Sequence, residues 1–333
     1  MVHALSTDTV AVALAFNNDY CPIAAAALAS LIEHTCGSYR YDIYVVSEDL
    51  SPLNQQRLQD MNCQRNVTLY FTRFDVQAQT AYDLNYSRHS RHAFIKLYLP
   101  HVLQHLKRVL YLDSDLLVLA DVAKLFVQDL CGAALGAILD PLAYAQPGAP
   151  LPLLRQRGMP YDTMTQYLTG HLQLPAEQLR HYCNTGVMLI DLEKFAARLD
   201  CRLPDLLKQH FAFSDQDIIN MVFCDSKQML PREWNVFAGA VDRGHDGGIK
   251  ELPCILHYAG GTKPCDDPRP GMLSNELYWQ AVGRTPFFFA AMERYITART
   301  TALIQAALQP HLPPPPATTA LPIPRITRGR RRK

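Results

Sequence analysis

Arg108-Val-Leu-Tyr-Leu-Asp-Ser-Asp-Leu-Leu-Val-Leu119 decides how the rest of the chain is read. An apolar run enters, two carboxylates one residue apart interrupt it, and a second apolar run leaves. Short runs of Val, Leu and Tyr read as a strand buried on both faces. An unpaired carboxylate inside such a strand costs on the order of several kcal/mol or takes up a proton. In an extended chain residues i and i+2 point the same way, so Asp113 and Asp115 converge on one point. A divalent cation there would compensate both, and oxygen ligands of this kind suit Mg²⁺ or Mn²⁺. Asp-x-Asp alone more often marks a solvated turn at a strand end, so the decision rests on the flanking chain.

Towards the N-terminus, residues 9–16 read as a first buried strand ending in the polar turn Asn17-Asn18-Asp19-Tyr20. Pro22 opens an alanine-rich helix to about His34, since proline is favoured in a first helical turn. Such a unit meets ligands at the carboxyl end of its strand; without Gly-x-Gly-x-x-Gly no dinucleotide site is indicated. Asn17 and Asp19 are read either as helix caps or as nucleotide contacts. Strands at Tyr41–Ser47 and Val67–Thr72, with a helix from Ser51-Pro52 to about Asn62, complete a βαβαβ run and imply a parallel sheet. Residues 75–90 read as loop and 91–107 as a helix with Phe94, Leu97 and Val102 on one side. Lys96 within it is either a surface lysine lying along apolar neighbours or a partner for phosphate or for the carboxylates that follow.

Towards the C-terminus, Asp121 caps a short helix through Phe126, and the strand Ala133–Leu139 ends in Asp140-Pro141. Four prolines place residues 145–160 in a loop or lid outside the core, and 161–181 read as helix. Tyr182-Cys-Asn-Thr-Gly-Val-Met-Leu-Ile-Asp191 is a polar step feeding an apolar strand. In Ser214-Asp-Gln-Asp-Ile-Ile-Asn220, Ser214 and Asp217 form a capping pattern on a helix whose apolar face is Ile218, Ile219, Val222 and Phe223. Acids at a helix N-terminus are favourable on dipole grounds alone, which leaves Gln216 unexplained. The strand Cys254–Tyr258 runs into Ala259-Gly-Gly-Thr-Lys-Pro264, a loop through which backbone N–H groups and an ammonium can approach phosphate. His257 taken alone reads as a core histidine.

With 333 residues, 48% apolar and 19% charged, the chain suits one large α/β domain with an appendage. Arg325, Arg328, Arg330, Arg331, Arg332 and Lys333 carry six of its positive charges; removing them from the net +1 leaves −5 for residues 1–324. The body is therefore mildly acidic and the tail a separate basic object, suited to anionic lipid headgroups or serving only as a solubilising end. The acidic body, without interleaved basic and aromatic residues, argues against nucleic acid as a partner. Nine cysteines form no C-x-x-C pair, which predicts a reduced cytoplasmic protein without a disulfide framework or zinc site. No apolar run reaches about 18 residues, and the N-terminus lacks the pattern of a signal peptide.

Four motifs in order carry a resemblance: Val109-Leu-Tyr-Leu-Asp-Ser-Asp115, Asn184-Thr-Gly-Val-Met-Leu-Ile-Asp-Leu192, Asp215-Gln-Asp-Ile-Ile-Asn220 and His257-Tyr-Ala-Gly-Gly-Thr-Lys-Pro264. Over roughly residues 9–265 the chain resembles the retaining family-8 glycosyltransferases, a group that includes lipopolysaccharide and lipooligosaccharide glycosyltransferases, glycogenins and some xylosyltransferases. The resemblance implies the GT-A fold, a Rossmann-like α/β domain with a mixed, mostly parallel sheet flanked by helices. It would span residues 1–285, followed by a C-terminal helix at 286–309 and a proline-rich linker with basic tail at 310–333. It implies transfer of a hexose, galactose or glucose, from a UDP-sugar to a glycan or glycolipid acceptor such as lipopolysaccharide core, with a protein or xylosyl-type acceptor as the alternative. Asp113, Asp115 and His257 would hold Mn²⁺, with Mg²⁺ as the substitute. Ala15, Asn17 and Asp19 would lie by the uridine, and Ser114, Gly260 and Lys263 by the diphosphate. Lys96, Asp140, Asn184, Thr185, Asp215 and Gln216 would surround the donor sugar and acceptor. Asp215 is the acid to nominate as a nucleophile for double displacement; a front-face substitution, with Gln216 at the sugar, needs none and is the preferred reading. Two departures stand out: Asn17 where an aspartate is common, and Cys265 where an aromatic is frequent. A metal-dependent nucleotidyltransferase would also use paired aspartates, but leaves Asp215-Gln216-Asp217 and the His257 loop without a role.

Overall fold

The computed structural model describes residues 9–79, 91–144, 148–242, 253–267 and 271–308. The basic tail, and residues 80–90 of the expected loop, lie outside these. Among the described residues ten strands form two sheets: β1 Thr9–Ala15, β2 Arg40–Ser47, β3 Val67–Arg73, β4 Arg108–Leu112, β5 Leu116–Val118, β6 Leu135–Leu139, β7 Cys183–Asp191, β8 Lys227–Met229, β9 Val236–Phe237 and β10 Ile255–His257. The large sheet runs β3-β2-β1-β4-β7-β6-β8 and the small one β5-β10-β9. β3, β2, β1 and β4 pair in parallel, as the βαβαβ reading requires, and β8 is parallel to β6. β7 is antiparallel to both β4 and β6. The α/β expectation of a mixed, mostly parallel sheet flanked by helices is met.

The deciding stretch is not one strand. β4 ends at Leu112, and the chain turns through Asp113-Ser114-Asp115 before β5 begins in the other sheet. The second run is divided between two cores: Leu116 and Val118 pack with Val109 to Leu112 in the main cluster, whereas Leu117 joins Leu256, Tyr258, Tyr278 and Val282 in a second one. The carboxylates therefore sit at the gap between sheets, where a continuous buried strand would have trapped them. The helix Cys21–Glu33 fills the angle between the cores, with Ala24, Ala25 and Leu28 facing one and Ile23 and Ala26 the other. Its run of small side chains suits a helix buried on nearly all sides. Ser30 Oγ on this helix accepts the Val118 N–H at 3.0 Å, tying it to β5.

Several local expectations change. Residues 91–107 form a 3₁₀ turn, Arg91–Tyr98, and one α-turn, Leu99–Val102, because Pro100 interrupts the helical ladder. Residues 161–181 split into Met164–Gly170 and a 3₁₀ turn Ala176–His181, divided at Pro175. The proline-rich 145–160 region holds a short helix, Pro152–Gln156, whose Leu154 is fully buried, so part of it belongs to the core. Its residues 145–147 are outside the described set. Ser214 is no cap: it has φ +49° and makes no capping bond, while Asp217 takes the Phe213 N–H at 2.7 Å. Ser51, Asp121 and Pro22 behave as read, and the last helix is Phe288–Leu308.

Candidate active site

The site forms where β4 leaves the large sheet and β10 ends the small one. Asp113 still belongs to the large sheet, since its N–H donates to Gly186 O at 2.7 Å. Asp115 belongs to the small one, its carbonyl accepting the Tyr258 N–H at 2.9 Å. Ser114 Oγ between them donates to Ala15 O at 3.4 Å, at the end of β1. One ligand atom each from Asp113, Asp115 and His257 lies within 4.8 Å of the others. His257 Nε2 is 3.3 Å from Asp115 Oδ1 and 3.8 Å from Asp113 Oδ2.

β7 shapes the floor. Its register against β6 shifts between Ala137, opposite Met188, and Ile138, opposite Asn184. The intervening Thr185-Gly186-Val187 makes a bulge of the kind that re-aims side chains beside active sites. Gly186 is required there for space: a Cβ would overlap the His257 imidazole and come within 2.9 Å of Asp113 Oδ2. Two carboxylates, one imidazole and a cleared backbone match the donor set of a divalent cation such as Mn²⁺ or Mg²⁺.

Two lysines flank the carboxylates. Lys96, only 3% exposed, lies 3.1 Å from Asp113 Oδ1 and 3.0 Å from Asp215 Oδ2 and sits over the Tyr111 ring at 4.9 Å. The surface-lysine reading is thereby overturned. Burial alone would pull this ammonium down, but Asp113, Asp215 and Tyr111 hold it well above its usual range. Lys263 ion-pairs with Asp115 and donates to Tyr258 O at 2.7 Å and Gly260 O at 2.6 Å. Gly260 has φ +103°, which lets the loop fold over that ammonium. Burial would raise the Asp115 carboxyl, yet Lys263 and His257 hold it well below the ordinary carboxylate range.

Behind the Asp113, Asp115 and His257 cluster lies a buried layer of amides. Asn184 Nδ2 donates to Gln216 Oε1 at 3.0 Å, and Gln216 Nε2 donates to Asp140 Oδ2 at 3.1 Å. Burial pushes the Asp140 carboxyl up, the bonds from Leu142 N–H, Gln216 and Asn184 offsetting part of this. Thr185 Oγ1 donates to Asp215 Oδ2 at 3.4 Å. Asp217 is fully buried, taking the Tyr167 and Tyr182 hydroxyls at 2.6 Å each. Burial raises its carboxyl to about 6 against the pull of those bonds.

Most sequence-nominated residues thus come together: Lys96, Asp113, Ser114, Asp115, Asp140, Asn184, Thr185, Asp215, Gln216, His257 and Lys263. The first turn does so less. Asn17 Oδ1 caps it by accepting the Tyr20 N–H at 3.0 Å, and Asp19 is exposed. Asn235 escaped sequence reasoning. It is buried, with Oδ1 2.8 Å from His257 Nδ1; a lone asparagine ahead of Val-Phe gives no signal of that.

Comparison with known proteins agrees with the fold. The profile described as Glycosyl transferase family 8 matches residues 11–267. General stress protein A of Bacillus subtilis (strain 168) is 22% identical over 240 residues, 67% of this chain and 75% of that protein. Lipopolysaccharide 1,2-glucosyltransferase of Escherichia coli (strain K12) is 28% identical over 170 residues, 48% of this chain and only 44% of the relative. Among solved structures, the bifunctional glycosyltransferase WbbM superposes with a TM-score of 0.69 at 22% identity, over 89% of this chain and 53% of that one. The galactosyltransferase LgtC, solved with donor and acceptor sugar analogues, gives 0.61 at 19% identity, over 83% and 96%. At these identities the two structures speak for the fold, which is GT-A. The profile runs from β1 to just past the Lys263 loop, and on that span the chain belongs to glycosyl transferase family 8.

Proposed function

We propose that the protein is a metal-dependent, retaining hexosyltransferase that moves galactose or glucose from a UDP-sugar to a glycan acceptor of the lipopolysaccharide-core type. The observation that carries this reading is the Asp113, Asp115 and His257 cluster, set against the amide layer of Asn184 and Gln216. The acceptor class draws on the lipopolysaccharide 1,2-glucosyltransferase among the relatives. Asp113, Asp115 and His257 would hold Mn²⁺, or Mg²⁺ in its place. A cation there supplies positive charge against the negative charge that builds on a departing diphosphate.

Lys263, on a loop that folds over the same point, adds a second positive charge and would act more strongly on the leaving diphosphate than on the bound donor. Ala15 and Asn17, at the end of β1, would line the uridine side; Asp19 is exposed and is assigned there by resemblance alone. Asp140, Asn184 and Gln216 would bind sugar hydroxyls. Asp215 Oδ2 is engaged by Lys96 and Thr185, and both Asp217 oxygens accept tyrosine hydroxyls. Carboxylates so occupied are poor nucleophiles, which favours a front-face substitution in which the leaving phosphate oxygen takes the acceptor proton. Asp215 and Gln216 would then position the sugar and face its developing positive charge. The acidic body and basic tail suit a cytoplasmic enzyme working at an anionic membrane face.

The test is a panel of UDP-sugars with Mn²⁺ and glycan acceptors, scored by UDP release and by NMR of the product. One UDP-hexose should be consumed and its α-configuration kept. A β-linked product, or turnover of nucleoside triphosphates in place of every UDP-sugar, overturns the reading.

A further inference from the structure

None of the four ordered motifs contains Asn235, yet it bridges two of them. It follows the 3₁₀ turn Arg232–Trp234 and leads into β9, whose Phe237 pairs with His257 of β10. The Phe237 ring stands edge-on to the imidazole at 5.5 Å and confines it from one side. Asn235 Oδ1 meets His257 Nδ1 at 2.8 Å, and Asn235 Nδ2 meets Asn184 Oδ1 at 2.9 Å.

Amide oxygen and nitrogen have nearly the same shape, so the direction of this chain must come from a group that can only donate. The β7 bulge provides two. The Gly186 N–H points at Asn184 Oδ1 at 3.0 Å, so that atom is the oxygen. Asn235 must then turn its NH₂ to Asn184 and its oxygen to His257. An oxygen facing Nδ1 requires the imidazole proton to be on Nδ1. That leaves Nε2 as the nitrogen available to a cation, and it is Nε2 that faces Asp113 and Asp115. At the other end the Thr185 N–H points at Gln216 Oε1 at 3.3 Å, which turns the Gln216 NH₂ to Asp140.

We infer that Asn235 is a positioning residue: it holds His257 in the Nδ1–H tautomer and, with Asn184, joins the cation site to Gln216 through amides whose direction the backbone of the bulge dictates. Outer hydrogen bonds of this kind set which imidazole nitrogen can bind a metal. The inference rests on the cation reading of Asp113, Asp115 and His257, but the proton on Nδ1 follows from the Asn235 geometry without it.

The experiment has three arms. In the wild type with ¹⁵N-labelled histidine, with and without Mg²⁺, long-range ¹H–¹⁵N spectra should show a proton on His257 Nδ1. Asn235→Ala should mix the tautomers and weaken Mn²⁺ binding, read by electron paramagnetic resonance, by about 10- to 100-fold. Asn235→Asp keeps the acceptor for Nδ1–H but loses the donor to Asn184. It should retain the tautomer and bind Mn²⁺ at least as well as the wild type, while kcat falls with UDP affinity held. A residue that only fills space would change none of these selectively. An unprotonated Nδ1 in the wild type, or undiminished Mn²⁺ binding in Asn235→Ala, overturns the inference; the first needs no variant and stands even if Asn235→Ala fails to fold. Absence of Mn²⁺ binding by the wild type overturns the link to the cation site. Failure to use any UDP-sugar sinks the proposed function and leaves the tautomer and Mn²⁺ arms decisive.

Discussion

Asp115 is held between Lys263 and His257, so removing it does more than delete one ligand. Asp115→Ala leaves the ammonium with only carbonyl partners and opens the cluster. Its rate with the preferred donor should fall by more than about 100-fold, roughly 3 kcal/mol of transition-state stabilisation. EDTA should abolish turnover in the wild type, and Mn²⁺ should restore it better than Mg²⁺ because an imidazole ligand favours the former; full activity in EDTA would dismiss the cluster as a cation site. Gln216→Ala should lower kcat by about 10- to 100-fold, roughly 1.4–2.7 kcal/mol, with UDP affinity, read by calorimetry, nearly unchanged. Asp217 gives a pH signature. Its folded carboxyl titrates near 6, above the ordinary unfolded value near 4. Between those values the unfolded chain loses this proton first, so the residue's contribution to stability falls as pH rises and levels off above 6, by about 3 kcal/mol at most. The stability of the wild type relative to Asp217→Asn, from urea unfolding, should therefore decline from pH 4 to 6 and then stay flat; a constant difference would contradict the raised titration.

At the scale of elements, sequence patterns located the strands of the βαβαβ half because alternating buried runs and proline- or serine-marked helix starts are local signals. They located Asp113 and Asp115 but misjudged their setting, since nothing within 108–119 says that Leu116–Val118 pairs with a strand near residue 256. Lys96 was legible as a candidate, while its burial depends on β7 and the helix Asp215–Val222, far along the chain. The small strands β8 and β9 and the helix Leu273–Val282 carry too little periodicity to be read alone. Asn235 was illegible for a related reason: a single polar residue acquires its role only through partners in β7 and β10. The last helix exposes Phe289, Ile296 and Leu303, and the basic tail lies beyond it. A chain ending at Gln309 should stay folded and keep its turnover. It should lose the salt-sensitive part of its binding to anionic vesicles, each basic residue near the surface being worth about 1 kcal/mol; equal binding in a sedimentation assay would rule out the tail as an anchor.

For the whole molecule, the two sheets meet at the carboxylate turn, with Asp113 fixed by one and Asp115 and His257 by the other. A cation that bound all three would bind only the docked arrangement, so Mn²⁺ at about 100 times its Kd should stabilise the fold by about 2.7 kcal/mol. Thermal melts with and without Mn²⁺ would register this as one shifted transition, and Asp115→Ala should lose the shift. The same division sets the order in which the chain can finish itself. Synthesis delivers the N-terminal strands first, and β4 can join β1 as soon as residue 112 is available. β5 follows four residues later in sequence, but its pairing strand is β10 at Ile255–His257. Until that segment arrives, Leu116–Val118 is an edge without a sheet, and Asp115 lacks both Lys263 and His257. Pairings so distant in sequence are slow to close. A nascent chain stopped before residue 255 should therefore carry an ordered β1–β4 region beside an unfinished candidate site, which comes into existence well after the sheet that supports it.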